Sequence, residues 1–149
     1  MATPGGFHLL TNASIENALE LPITSNAVTA GDMLELDVGA VDWTDADSGT
    51  QNWQLKAVAV ETVANTASVV LCQLVSLGQV WASETASDSA AADNGDRMLL
   101  TDTNTVNNTG TDNTSEEAVV IQLTPMGIAA DKRIRAIIVP GVGVDTDAT

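Results

Sequence analysis

Nucleophilic and acid–base chemistry would depend on two residues that each occur once in this chain, His8 and Cys72. A Ser-His-Asp arrangement needs a histidine placed to accept the serine proton, and His8 follows a Gly-Gly pair in a segment that favours a loosely packed arm. Cys72 lies within V-V-L-C-Q-L-V, which predicts a buried thiol, whereas reactive cysteines need an accessible, electropositive setting. One histidine and one cysteine cannot form a closed structural zinc site. The sequence therefore predicts no catalytic residue, no cofactor and no enzyme activity.

Carboxylates are so abundant that any two of them could approach by chance. An EF-hand calcium loop needs oxygen donors at alternate positions, a glycine at the sixth and a glutamate at the twelfth. Counting from Asp102, Val106 occupies the fifth position, so this loop does not fit. Counting from Asp42, Thr44 misses the third position. A looser oxygen site within residues 42–47 stays open, but we predict no metal site.

Basic residues are few, and three of the five lie together in D-K-R-I-R as Lys132, Arg133 and Arg135. Arg133 and Arg135 are two positions apart, so they share one face of a strand, with Ile134 and Ala136 on the other face. Two interpretations remain open. The arginines pair internally with the chain's many carboxylates, or they form a patch that docks an acidic partner or a neighbouring subunit.

The charge of the chain excludes some classes of partner. Twenty acidic residues against five basic ones give a net charge of −15. Nucleic acid is a poor partner, because phosphates are neutralised by lysine and arginine, and an anionic membrane is disfavoured for the same reason. No window approaches the ~18 apolar residues of a membrane span. The N-terminus lacks the basic and apolar regions of a signal peptide, which predicts synthesis in a cytoplasm.

Short apolar runs separated by turn residues predict an all-β chain. At 149 residues and 44% hydrophobic content, it is long enough to fold around a core of its own. We predict a small single-domain β-barrel or sandwich, tulip-like, with a flexible N-terminal arm and few or no helices. The predicted segments are an arm over residues 1–8, a β domain over 9–139 with long polar loops at 42–52, 84–96 and 101–117, and a C-terminal tail over 140–149.

Individual strands can be predicted from local patterns. M-L-E-L-D-V at 33–38 alternates, which predicts a strand with its leucines buried and its carboxylates in water. L-E-L-P-I at 19–23 predicts an edge strand, because proline cannot donate to a ladder. The apolar run at 69–75 and Q-V-W-A at 79–82 predict a β-hairpin that turns at Gly78.

Three stretches carry a resemblance to a known family: A-G-D-M-L-E-L-D-V, then K-A-V-A-V-E-T-V followed by V-V-L-C-Q-L-V-S-L-G-Q-V-W, and finally D-K-R-I-R-A-I-I-V. This order of a Gly-Asp turn, a valine-rich segment and a closing hydrophobic strand resembles the head decoration (cement) proteins of tailed viruses of the bacteriophage type. The likeness extends over most of the chain.

The resemblance implies a structural virion protein on the outside of the capsid, made in the host cytoplasm. Such a protein binds the major capsid protein, usually as a homotrimer, and bridges and stabilises neighbouring capsid subunits. The N-terminal arm is expected to order on the partner and to add a strand to an exposed edge. The candidate interface residues are therefore Pro4, Gly5, Gly6, Phe7, Lys132, Arg133 and Arg135.

Two other functions remain as alternatives. One is another virion structural subunit, from the capsid shell, a tail or a filament. The other is a β module that binds carbohydrate or calcium, because Trp43 and Trp53 flank the acidic loop at 42–52.

Overall fold

The computed structural model of the protein describes residues 5–11, 18–24, 26–109, 119–127 and 131–142. These residues form a small all-β domain, which confirms the predicted fold class. The strands are β1 (His8–Leu9), β2 (Ala18–Pro22), β3 (Met33–Leu36), β4 (Thr44–Asp45), β5 (Leu55–Ala59), β6 (Val69–Leu74), β7 (Trp81–Thr85), β8 (Arg97–Asp102), β9 (Thr105–Asn107), β10 (Val120–Pro125) and β11 (Arg133–Ile138). The described part contains no α-helix, only a 3₁₀ turn at Ala91–Asp93. Consequently, none of its helical structure could cross a bilayer.

Five strands close into a barrel. The first sheet has the order β1-β7-β11-β10-β8-β9, and β9 also pairs with β7. This last pairing is parallel and short, with Glu84 opposite Thr105 and Thr85 opposite Val106. Strand β1 also pairs with β7, at Trp81 and Ala82. The barrel is thus closed by a seam of two residue pairs, with β1 attached to β7 beside it.

The remaining strands form a second, antiparallel sheet in the order β2-β6-β5-β3-β4. Strand β2 lies at its edge, as the proline in L-E-L-P-I predicts, and Pro22 stands opposite Val69. A single bridge between Ile23 and Trp43 brings the outer ends of this sheet together. The Trp43 N–H donates to the Pro22 carbonyl at 2.9 Å.

Two hydrophobic cores result, one inside the barrel and one against the second sheet. Strand β3 contributes to both: Met33 packs in the barrel core and Leu34 in the second core. Glu35 is also buried, at 9% exposure, whereas Val38 is exposed. The predicted strand at 33–38 is thus confirmed for the burial of Leu34 and the exposure of Asp37, but it is wrong for Glu35 and Val38. Strand β3 ends at Leu36 and lies between the two cores, which cover both of its faces.

The predicted hairpin at 69–82 is also wrong. Strand β6 pairs with β2 and β5 in the second sheet, so both of its edges are occupied. Strand β7 belongs to the barrel. The turn at Gly78, which adopts a φ of +86°, carries the chain from one sheet to the other.

Two of the predicted polar loops contain strands. At 101–117, β8 extends to Asp102 and β9 follows after two residues, and Val106 lies in the barrel core with 0% exposure. At 42–52, β4 and the buried Ala46 contribute to the fold. Strand β4 pairs with the preceding strand β3, and β9 pairs with both β8 and β7, although the local polarity of the two segments indicates no strand. Residues 110–117, the second half of the 101–117 segment, lie outside the described residues.

Candidate functional site

The N-terminal segment is part of the fold rather than a free arm. Phe7 is 1% exposed and packs in the barrel core, and its N–H donates to the Gly31 carbonyl at 2.9 Å. Gly6 is buried with a φ of +85°, and a Cβ there would lie 2.5 Å from the Gly31 oxygen. The prediction of a flexible arm over 1–8 is therefore wrong for Gly5 to His8, because a large aromatic ring is buried there. Pro4 lies outside the described residues.

The basic cluster lies on the outside of the barrel, as the alternation predicts. Ile134 and Ala136 point into the barrel core, so Arg133 and Arg135 point outward. Arg135 is exposed and stands between Ala82 on β7 and Thr124 on β10. Arg133 is half-buried opposite Glu84. Lys132 is exposed immediately before β11.

The fold brings the two groups of candidate residues to opposite sides of β7. His8 on β1 stands opposite Ala82, and Ala82 stands opposite Arg135. At the other end of β7, a Cβ on Gly5 would lie 2.8 Å from Glu84 Oε2, and Glu84 is the register partner of Arg133. The N-terminal segment and the basic strand β11 thus flank the same strand, β7. Phe7 packs in the barrel core, so its side chain does not contribute to the outer surface of the barrel.

Arg97 is a further member of this surface that sequence reasoning missed. It stands opposite Ile121 on β10, and Ile121 stands opposite Ile137 on β11. Met98 follows Arg97, Val120 precedes Ile121 and Ile138 follows Ile137, and all three of these neighbours pack in the barrel core. Arg97, Ile121 and Ile137 therefore form a row across the outer surface of three strands.

We call this surface the basic-aliphatic face. Arg97 and Arg135 are exposed, the isoleucines and Leu99 are half-buried, and Leu123 is 38% exposed beside an irregularity in β10. Within the described residues, neither Arg97 nor Arg135 makes a side-chain hydrogen bond or ion pair. The members of the basic-aliphatic face are Arg97, Leu99, Ile121, Leu123, Arg135 and Ile137, with Lys132 and Arg133 at one end.

The fifth basic residue, Lys56, is buried at 2% exposure. Its ammonium donates to the backbone carbonyls of Asn52 at 3.0 Å, Gln54 at 2.8 Å and Val139 at 2.8 Å. Val139 follows β11, so Lys56 ties the second sheet to the end of the barrel. Gly141 packs beside the same loop, where a Cβ would lie 1.9 Å from the Gln54 oxygen.

Electrostatically, Lys56 is a structural cation. Burial lowers its pKa to about 8, and the charge of Glu35, its register partner on β3, acts in the opposite direction. Burial also raises the pKa of Glu35, whose Oε2 has no hydrogen-bond partner among the described residues. The three donors of the ammonium match three carbonyl acceptors, so this lysine holds backbone in place and cannot meet a substrate.

The acidic loop does not assemble a metal or sugar site in the described part of the chain. No group of three or more His, Cys, Asp or Glu side chains there is placed to hold a metal ion. Asp45 accepts a hydrogen bond from Asn26 at 3.3 Å, and burial raises its pKa, with a further contribution from Asp32. Trp43 is buried in the second core, so the pair of tryptophans that motivated a sugar-binding module is not available as a platform.

Cys72 is buried in the second core, as predicted. Burial raises the pKa of its thiol to about 12, and the charge of Glu61 adds to the shift. The thiolate required for nucleophilic attack is therefore disfavoured at neutral pH.

An apolar groove of about 500 Å³ separates β1 from the second sheet. Its walls include Leu9 and Trp81 on one side and Val58 and Leu71 on the other. Among the described residues that line it, His8 is the one titratable group, so these residues supply no acid–base pair.

No protein-family model matches this chain, and no curated protein matches it in sequence. The basic-aliphatic face combines accessible cations with aliphatic side chains on the outside of the closed barrel.

Proposed function

We propose that the protein is a non-enzymatic virion component that binds the outer surface of an assembled capsid. In this role it bridges neighbouring subunits of the major capsid protein and stabilises the shell. The proposal includes assembly as a homotrimer and a location on the capsid exterior of a tailed virus. The resemblance of the sequence to cement proteins supplies the class of function.

The observation that supports it best is the placement of the accessible basic residues. All four basic residues other than the buried Lys56 lie on or next to the outer surface of β8 and β11. Carboxylates are spread along the whole chain, with eight in residues 18–79 and eleven in residues 80–149. The basic residues therefore form one local patch that can dock an acidic surface, on a molecule whose net negative charge favours solubility.

A binding experiment with capsid shells tests the proposal. The full-length protein is mixed with shells purified from the virus that encodes it, and the shells are pelleted at low and at physiological salt. We expect saturable co-sedimentation that weakens as salt rises, because exposed charge pairs are screened within about 8–10 Å. Reconstruction of the decorated particle is expected to show additional density on the outer surface.

The outcomes separate this function from its alternatives. Density inside the shell, in the tail or along a filament would assign the protein to another structural role. Absence of binding at both salt concentrations would refute capsid decoration. Sedimentation equilibrium of the purified protein tests the homotrimer separately, since a monomer at the concentrations that decorate shells contradicts it.

A further inference from the structure

The basic-aliphatic face has a defined geometry. Neighbouring strands lie about 4.8 Å apart, so the row Arg97, Ile121 and Ile137 spans about 10 Å. Arg135 lies two residues from Ile137 on β11, which places it roughly 7 Å along the strand. The isoleucines therefore separate two guanidinium groups at opposite corners of a compact patch.

The composition of this patch favours an acidic protein surface over other anions. Arginine binds carboxylates in a planar, bidentate geometry. Contact with aliphatic side chains of a partner would remove the apolar surface of the half-buried isoleucines and Leu123 from water, which stabilises a complex. A nucleic acid or an anionic lipid surface carries dense phosphate charge, which needs many cations, whereas this molecule of net charge −15 offers four outside its core. Carboxylates set among aliphatic side chains match both components of the patch.

The closed barrel also determines how a partner can bind here. Strands β10 and β11 are paired on both sides, and β8 lies between β10 and β9. Within the described residues, each of these three strands has a neighbour on both sides, which leaves little backbone edge to which a partner could add a strand. We therefore expect recognition at this face to use side chains.

We propose that the basic-aliphatic face docks an acidic surface of a capsid subunit, with partner carboxylates on Arg97 and Arg135 and partner aliphatic side chains over Ile121 and Ile137. This inference rests on the proposed function for the identity of the partner. The face and the chemistry of its occupant are derived from the strand register and the exposure of these residues.

Two double variants with the same net charge test the inference by shell co-sedimentation. Arg97→Ala with Arg135→Ala removes two positive charges from the face. Asn65→Glu with Ser68→Glu adds two negative charges at exposed positions near the start of β6. We expect the first pair to weaken binding by about tenfold or more, as loss of central arginine contacts does, and the second to change it by less than about twofold. Unfolding midpoints of both variants verify that the fold is intact.

Equal weakening by both double variants would reveal a general charge effect and overturn the inference. Wild-type affinity in the arginine variant, on shells that still bind, would place the contact on another face and also overturn it. In that case the proposed function itself would stand.

A photo-crosslinking experiment tests the docking face even if the purified protein does not bind shells. A p-benzoylphenylalanine side chain is placed at Ile137 and, as control, at Val69 on the second sheet, in the full chain within cells that express it naturally. We expect Ile137 to crosslink to a carboxylate-rich peptide of the major capsid protein, and Val69 to give no such product. A carboxylate-rich peptide from a different protein supports the docking face and refutes capsid decoration. A crosslink to a second copy of this chain, or none, overturns the docking face.

Discussion

The barrel and the second sheet bury different kinds of polar group. In the described residues, the buried polar side chains of the barrel strands are neutral, such as Ser83, Thr85 and Gln122. Those of the second sheet and its turns include the ionisable Asp32, Glu35 and Lys56. A neutral group needs only hydrogen bonds when it is buried, whereas a charge also loses its hydration. The difference predicts that pH acts on the second sheet and that apolar packing sets the stability of the barrel.

The two regions are nevertheless joined at several points, and two of them bear on the predictions. Met33 and Leu34 are consecutive residues that pack in different cores, and Lys56 binds the carbonyl of Val139 at the end of the barrel. Disruption of either region should therefore be transmitted to the other.

The largest effect is expected for Phe7→Ala. Removal of a fully buried phenylalanine leaves a cavity in the barrel core and should lower the free energy of unfolding by about 3–5 kcal/mol. Urea denaturation followed by tryptophan fluorescence measures this change. Leu77→Ala, at a position 82% exposed, is the control and should change the stability by less than about 0.5 kcal/mol. If Phe7→Ala were as stable as wild type, the burial of Phe7 would be contradicted and the hypothesis of a flexible N-terminal arm would be supported.

A coupled shift is expected in the second core of the same variant. Cys72 is buried there, so it should react with a thiol reagent only when that core opens. If the regions unfold together, the urea midpoint for Cys72 labelling will equal the fluorescence midpoint, and Phe7→Ala will move both equally. Labelling at lower urea than the fluorescence change would show that the second sheet opens independently.

A smaller effect is expected from Lys56, whose burial makes the free energy of unfolding increase with pH. In the unfolded chain the Lys56 ammonium has a pKa near 10.5, whereas burial lowers its pKa in the folded chain to about 8. Between these values unfolding takes up a proton, so the free energy of unfolding rises with pH. From pH 7 to 9 we expect the stability of wild type to increase by about 1 kcal/mol relative to Lys56→Met.

Lys132→Met supplies the control for this pH dependence, because Lys132 is exposed and its removal should leave the slope unchanged. The measurement stops at pH 9, where the unfolded Cys72 thiol begins to ionise while burial keeps the folded thiol protonated. That effect opposes the one from Lys56. Parallel stability curves for wild type and Lys56→Met would contradict the assignment of Lys56 as a buried cation.

The smallest effect is expected at the surface. Leu123 and Leu55 are 38% and 39% exposed, the first on the basic-aliphatic face and the second on the second sheet. Leu123→Ser and Leu55→Ser should both change the free energy of unfolding by less than about 1 kcal/mol. Only Leu123→Ser should weaken shell binding. Equal binding by the two variants would remove Leu123 from the contact.

Local patterns predicted the features that depend on local chemistry. The alternation in R-I-R-A-I-I correctly placed Arg133 and Arg135 outward and Ile134 inward, because side chains alternate along any strand. The proline in L-E-L-P-I correctly indicated an edge strand, because its nitrogen carries no proton. Neither conclusion requires knowledge of which strands pair.

The features that were missed depend on pairing between distant segments. Phe7 is buried because its backbone meets Gly31, and Val106 is buried because β9 closes the barrel against β7. Arg97 joins Arg135 on one face only through the intervening strand β10. Nothing local shows that the carbonyls of residues 52, 54 and 139 converge on Lys56. The candidate site was therefore half predicted: its basic strand was found, but its aliphatic centre was not.

The parallel seam between β7 and β9 is one of the two shortest strand pairings in the described barrel. It consists of two residue pairs, as does the pairing of β8 with β10, whereas β10 and β11 share five. The Ala86 amide, which donates to the Val106 carbonyl across this seam at 2.9 Å, should therefore exchange with deuterium faster than the amides of β11, through local openings that leave the rest intact. Each opening uncovers two strand edges and the apolar Val106, which makes this seam a point at which concentrated protein could exchange strands between molecules.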